Sequence, residues 1–312
     1  RDWLQCYFIV ASISRSPRVV FILARLCLCT VTVRALSATE LDKFSVDPSI
    51  TTSSGTRNGA TLTPSLAVTS SGSTHTFAGN MVPPHATASS YTRPITTYIS
   101  AQSSSVQVPS SPVKASSTTC LPAATIGVAV NGVAIFSAYS RPCTDAIVDE
   151  AIGFDSCDGH PQEQGIYHYH YKSACLQVKS ASSGGNSTIV TSAGSRQLYG
   201  VALDGFPIYN KWDKDGNTIA NTQLDTCHGY DPGDGIGYRY IVNDEFPYII
   251  GCFVGTPLST VNCHCSSTSG GNSKPSKPTK EPHANSTRYA HSCKTGIGMV
   301  LFSSIMAWVL RA

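Results

Sequence analysis

An internal repeat sets the strongest limit on how this chain can fold. Gly127 opens GVAVNGVAIFSAYS, Gly200 opens GVALDGFPIYNKWD, and the two align without a gap. Each reads as strand, turn, strand. Asn131-Gly132 and Asp204-Gly205 suit a type I′ hairpin, which needs positive φ at both central residues. The likeness continues further along. Phe154-Asp155-Ser156-Cys157-Asp158-Gly159 aligns with Leu224-Asp225-Thr226-Cys227-His228-Gly229, and Tyr167-His168-Tyr169 with Tyr238-Arg239-Tyr240. This is the pattern of a hairpin–turn–strand unit present twice. Helical periodicity is weak, with Thr144 to Ile152 (TDAIVDEAI) the best candidate and Thr144 its cap. The expected fold is all-β, or β-rich with one short helix, in a single domain spanning 119–257.

Cysteine usage says where such a domain resides. The chain has 12 cysteines among 312 residues. With Ser/Thr-rich stretches around them, they indicate an oxidising, secreted setting. Within 119–257 the local pairs Cys157–Cys175, Cys227–Cys252 and Cys120–Cys143 are the expected disulfides, making this a stapled domain. Charged residues make up 13% and the net charge is +3. With no basic cluster to track phosphates, nucleic-acid binding is excluded.

The flanks differ in composition. Val19 to Val33 is a short apolar run preceded by Arg15 and Arg18, so residues 1–38 read as a signal peptide or an uncleaved signal anchor. Residues 39–118 are dominated by Ser and Thr and read as a disordered, O-glycosylated stalk. Residues 258–294 read as a Ser/Pro/Lys linker. Ile297 to Leu310 is a second apolar run, and 295–312 reads as a lipid (GPI-type) anchor signal, the alternative being a single-span tail. Asn186 and Asn285 open N-glycosylation sequons. The expected location is the cell surface or the extracellular space.

The chemistry concentrates in Tyr167-His168-Tyr169-His170. Alternate side chains of a strand point to opposite faces, so His168 and His170 share one face and the tyrosines the other. Residues two apart lie about 7 Å apart at Cα, close enough for both imidazoles to reach one ion. Neutral imidazole suits zinc and copper. A further ligand is needed, and His160 and His228 are the candidates. The alternatives are hydrogen-bonded structural histidines, or acid–base catalysis without metal. Cys263-His264-Cys265 is a weaker metal candidate, because its sulfurs are expected to be oxidised. Asp204 reads as a turn residue, and Asp155 and Asp225 as Asx-turn residues that could instead orient a ligand. Asp213-Lys214-Asp215-Gly216-Asn217 resembles the start of a calcium loop but lacks the closing Glu, Leu224 standing there, and reads as a hairpin turn.

These motifs resemble the YHYH-domain family. Cys157-Asp158-Gly159-His160-Pro161, YGVALDGFPIYN from Tyr199, LDTCHG from Leu224 and FPYIIGCFVG from Phe246 carry the resemblance with Tyr167–His170. It covers about residues 120–256 and fits a secreted or surface-anchored setting. Three functions are then in view. The first is binding of copper or zinc through His168 and His170 with His160 or His228. The second is a metal-free adhesion module with the tyrosine strands as a platform for extracellular glycans. The third is a metal-dependent hydrolase or oxidase using Asp155 or Asp225 as base.

Overall fold

A computed structural model of the chain describes residues 35–265 except 48, 94 and 180–186. Residues 1–34, most of the 258–294 linker, the 295–312 segment, and both Asn186 and Asn285 lie outside the described residues.

The described chain opens with a helical turn, α1 (Ala38–Leu41), closed by a reciprocal Ser37–Glu40 capping box. An antiparallel meander follows: β1 (Leu66–Ser71), β2 (Thr74–Gly79) and β3 (Ser104–Pro109). β4 (Lys114–Thr119) leads into β5 (Thr125–Ala129), β6 (Ala134–Phe136), α2 (Ala146–Glu150), β7 (Gly159–Pro161) and β8 (Tyr167–Tyr169). After a small hairpin, β9 (Gln177–Lys179) and β10 (Ser187–Ile189), come β11 (Leu198–Ala202), β12 (Pro207–Tyr209), β13 (Gly229–Tyr230), β14 (Arg239–Ile241) and β15 (Phe253–Gly255). The protein is β-rich, with α2 as the short helix of its central part.

Eight strands form one mixed sheet in the order β13-β14-β12-β11-β5-β6-β8-β7. Outward from the central β11–β5 pair, both arms show the same pairings. β5–β6 and β11–β12 are antiparallel, β6–β8 and β12–β14 parallel, and β7–β8 and β13–β14 antiparallel. The central strands are buried nearly throughout, as residues covered on both faces require: β11 is LYGVA and β5 is TIGVA.

The two hairpin turns depart from the type I′ expectation. Gly132 and Gly205 have positive φ (79° and 87°), whereas Asn131 and Asp204 do not. Ala129 N donates to Val133 O, and Gly132 N to Ala129 O. This is a three-residue loop with glycine in the left-handed position. The dipeptide marks the turn correctly, but its asparagine or aspartate sits one place before the only residue that needs positive φ.

The stalk expected over 39–118 is folded. Phe44 packs against Phe77 with ring centroids 4.6 Å apart, and Phe77, Tyr91, Ile99 and Val108 join the main core. Tyr91 donates to Asp155 at 2.6 Å, and His85 Nε2 lies 2.7 Å from the Tyr169 hydroxyl. This Ser/Thr-rich segment therefore covers the tyrosine face of β8. Leu36 is buried and Ser37 caps α1, so the folded part begins before residue 38.

Among the described residues four disulfides staple the fold. Cys157 bonds Cys175, and Cys227 bonds Cys252. Cys120 and Cys143 do not pair with each other. Cys120 bonds Cys263 and Cys143 bonds Cys265. The short sequence distance between Cys120 and Cys143 misleads, because β4 pairs with β15 and draws the end of the described chain back beside its entry. Residues 258–265 thus belong to the domain rather than to a linker. Such staples mark an extracellular or secreted protein. Among the described residues no helix is long and apolar enough to cross a membrane.

Candidate metal centre

Strand alternation divides β8 into two chemistries. Tyr167 and Tyr169 are fully buried on one face. The Tyr167 hydroxyl donates to Asp155 at 2.9 Å, and Tyr169 receives Asn131 Nδ2 at 3.1 Å. His168 and His170 occupy the other face. β7 pairs with β8 so that His160 stands directly opposite His168, with ring centroids 4.6 Å apart. Cross-strand neighbours share a face, which brings a third imidazole to the site. The fourth group is Glu150, the last residue of α2. That helix is started by Asp145, whose carboxylate accepts from Ile147 N at 2.9 Å. Glu150 Oε2 lies 3.3 Å from His160 Nε2 and 3.4 Å from His170 Nε2.

Hydrogen bonding fixes which nitrogens face inward. His168 Nδ1 donates to Ile166 O at 3.0 Å, and His170 Nδ1 donates to Ser137 O. A carbonyl can only accept, so each Nδ1 carries the proton and each neutral ring turns a bare Nε2 lone pair into the site. Those two Nε2 atoms are 3.0 Å apart. Two acceptors at that distance repel unless a proton or a cation lies between them. Both ring nitrogens of His160 are buried without a hydrogen-bond partner, because the 3.3 Å approach to Glu150 lacks hydrogen-bond geometry. A buried orphan of this kind costs about 1–3 kcal/mol.

The spacing suits one small ion. Zinc–nitrogen and zinc–oxygen bonds of about 2.0–2.1 Å give tetrahedral ligand–ligand edges of roughly 3.3 Å. The 3.0, 3.3 and 3.4 Å contacts bracket that length, and one donor atom from each of Glu150, His160, His168 and His170 lies within 4.8 Å of all the others. These four residues could therefore hold a metal ion. Phe136 stacks on His168 at 3.9 Å, and Phe154 packs against His160 at 4.8 Å, fixing the ring planes. The cluster opens onto a cavity of about 810 Å³.

Electrostatics favour the ligating forms of Glu150, His160 and His168. Burial pushes the His160 and His168 imidazoles down from 6.5, His168 well below it with the neighbouring imidazoles adding to the effect, while at His160 the Glu150 carboxylate opposes it. Burial alone would raise Glu150, but contacts with His160 and His170 hold its carboxyl down to about 2. Neutral imidazoles beside an ionised carboxylate are the protonation states that a metal requires.

His228 does not join the cluster. It precedes β13, at the opposite edge of the sheet from β7. Seven interstrand steps of about 4.8 Å separate those edges by roughly 30 Å. His228 instead places Nε2 2.9 Å from Asn221 Oδ1 and Nδ1 3.3 Å from Ile249 O. At the register position matching His168, β14 carries Arg239, fully buried and paired with Asp234 at 2.8 Å.

Other expectations also change. Cys263 and Cys265 are both in disulfides, so they offer no thiolate, and His264 Nε2 lies 2.8 Å from Arg141 O. Asp155 and Asp225 are engaged in equivalent turns. Each accepts from the N–H of the cysteine two residues on at 2.9 Å and from a strand tyrosine at 2.9 Å, so neither stands as a base at the cluster. Tyr167, Tyr169, Tyr238 and Tyr240 are 0–3% exposed, which removes them as a glycan platform. Asp213 closes a turn by accepting from Asp215 N and Asn217 N. Glu150 escapes a reading of TDAIVDEAI that weighs only its apolar face. The acidic end of a helix shortly before CDGHP is the signal that points to it.

A β-sheet protein with a histidine–carboxylate cluster at one sheet edge is the class that this geometry defines. Residues 105–223 match the family model described as YHYH protein, so the chain contains a YHYH domain. The match spans Glu150, His160, His168 and His170 and ends before β13. No curated protein and no solved structure matches the chain.

Proposed function

We propose that this is an extracellular metal-binding protein whose Glu150, His160, His168 and His170 hold one divalent transition-metal ion, zinc or copper. The observation that carries the reading is the 3.0 Å approach of two Nε2 lone pairs whose Nδ1 protons are already committed to carbonyls. A cation between them converts a repulsion into two bonds, and gives His160 a partner. The opposite arm of the sheet supports this. There Arg239 supplies a built-in positive charge where His168 stands in the first arm. Three imidazoles and one carboxylate suit zinc, and copper binds such sites more tightly at equal availability. When bound, the ion would supply a Lewis-acidic centre at the cavity wall, and the chain's own residues would orient the rings and exclude water behind them.

The test is elemental analysis of the purified protein, before and after incubation with zinc and with copper. One ion per chain is expected in the wild type and none in the His168→Ala/His170→Ala double variant. Wild type without stoichiometric metal after both incubations would sink the reading. The disulfides support a surface setting, in which the two terminal apolar runs serve as export signal and lipid anchor. Release of the protein from cells by a phospholipase specific for phosphatidylinositol anchors tests that part.

A further inference from the structure

We infer that the cavity above the metal centre is a binding site for a neutral small organic molecule, with an apolar body and a single nitrogen or oxygen donor that would join the four protein donors as a fifth ligand of the ion. The inference rests on the metal reading and adds the ligand class. At about 810 Å³ the cavity falls within the range of sites that enclose drug-sized molecules, roughly 300–1,000 Å³. His160, His168, His170 and Glu150 line its base. Its walls are mainly apolar, with Phe136, Tyr139 and Ile166 beside the histidines. Phe136 is packed against His168 at 3.9 Å, so a ligand reaching the ion slides along an aromatic surface already held in place.

Charge selects against anions. Glu150, Asp149 and Glu163 all line the cavity. The Asp149 carboxylate accepts from the Ser140 hydroxyl at 2.6 Å, which orients it. The one arginine on the wall, Arg141, has its side chain 89% exposed at the rim and already lies 3.6 Å from Glu163. With the ion bound, Glu150 is compensated and Glu163 faces Arg141, so the carboxylate that an anionic ligand would still meet is Asp149. A small cation would compete for the ion's own place without using the apolar walls. A neutral molecule gains from burial and needs one donor to satisfy the metal.

The experiment compares two neutral nitrogen donors that differ only in apolar body, imidazole and 4-phenylimidazole, titrated calorimetrically into zinc-loaded full-length protein. Metal content is measured on the same samples. Burying the phenyl group should make 4-phenylimidazole bind roughly tenfold or more tighter than imidazole. Ala124, exposed on the cavity wall, is the control position. Ala124→Trp puts a bulky ring on the cavity wall at a position outside the four donors, and should abolish the preference while leaving metal content at one per chain. Equal affinities for the two donors on metal-loaded protein, or a preference untouched by Ala124→Trp, would overturn the ligand class and leave the metal centre standing. Protein that retains no zinc would overturn the metal reading, and this proposal with it.

Discussion

His168 and His170 face one another Nε2 to Nε2 at 3.0 Å, each held from behind by a backbone carbonyl on Nδ1. Backbone hydrogen bonds thus place a proton on each Nδ1, so that in the neutral rings both inward nitrogens are lone-pair donors for a cation. The same pair fixes where the fourth donor has to come from, and α2 delivers it as Glu150.

Glu150→Gln tests that donor. The substitution keeps the shape and hydrogen-bonding volume but removes the negative charge. Metal affinity should fall by at least about tenfold, read by competition with a calibrated chelator. An unchanged affinity would show that the carboxylate is a bystander.

Acid should destabilise the metal-free protein through the buried imidazoles. His160 and His168 are held below 6.5 when folded, chiefly by burial. The unfolded chain therefore takes up protons first as pH drops. The stability they contribute is complete above about 6.5 and is lost as pH falls from there toward the folded values. In urea denaturation at about pH 7.5 and about pH 5, wild type should lose more stability than His168→Gln, whose side chain does not titrate. Asp204, held up at about 6 by burial, pulls the other way but equally in both proteins, so it cancels from the comparison. Matching losses in the two proteins would count against a buried neutral His168.

Asp204 should prove costly to remove. It is fully buried and accepts from the Tyr240 hydroxyl at 2.7 Å, Gly255 N at 2.9 Å and Phe206 N at 3.4 Å. Asp204→Ala strands those donors and should lower unfolding free energy by about 2–4 kcal/mol. Asp204→Asn should recover only part, since its amide sets a donor against donors. Denaturation curves showing less than about 1 kcal/mol of loss for the alanine variant would contradict this assignment.

Peptide mapping without reduction should recover Cys120 linked to Cys263 and Cys143 linked to Cys265, with no Cys120–Cys143 species. These bonds span 143 and 122 residues. In the chain-entropy account, removing either should cost about 4–5 kcal/mol, against about 3 for Cys157–Cys175, which spans 18. Thermal denaturation of the paired Cys→Ser variants gives the ranking.

The β-rich class, the hairpin positions and the shared face of His168 and His170 are legible in the sequence because they depend on local pattern. Alternation places the two imidazoles together, and the glycines mark both turns. What escapes depends on long-range pairing. β1 to β3 hide a few apolar residues, such as Phe77 and Val108, among serines and threonines. Averaged composition reads that as disorder, although period-two burial is present. Alignment with Asp158 draws His228 toward the site, but equivalent positions in the two arms lie at opposite edges of the sheet. Glu150 cannot be found by spacing, because the fold of α2 onto β7 and β8 sets its distance to His160.

The paired Cys120–Cys263 and Cys143–Cys265 bonds also define a load path. Traction on the chain beyond Cys265 passes first through sulfur to Cys143, just ahead of α2, and to Cys120, just past β4. The sheet's hydrogen bonds are bypassed, and the point of attachment sits at the wall of the cavity, which His264 helps to form. A force applied just after Cys265 would therefore enter the domain beside the opening of that cavity.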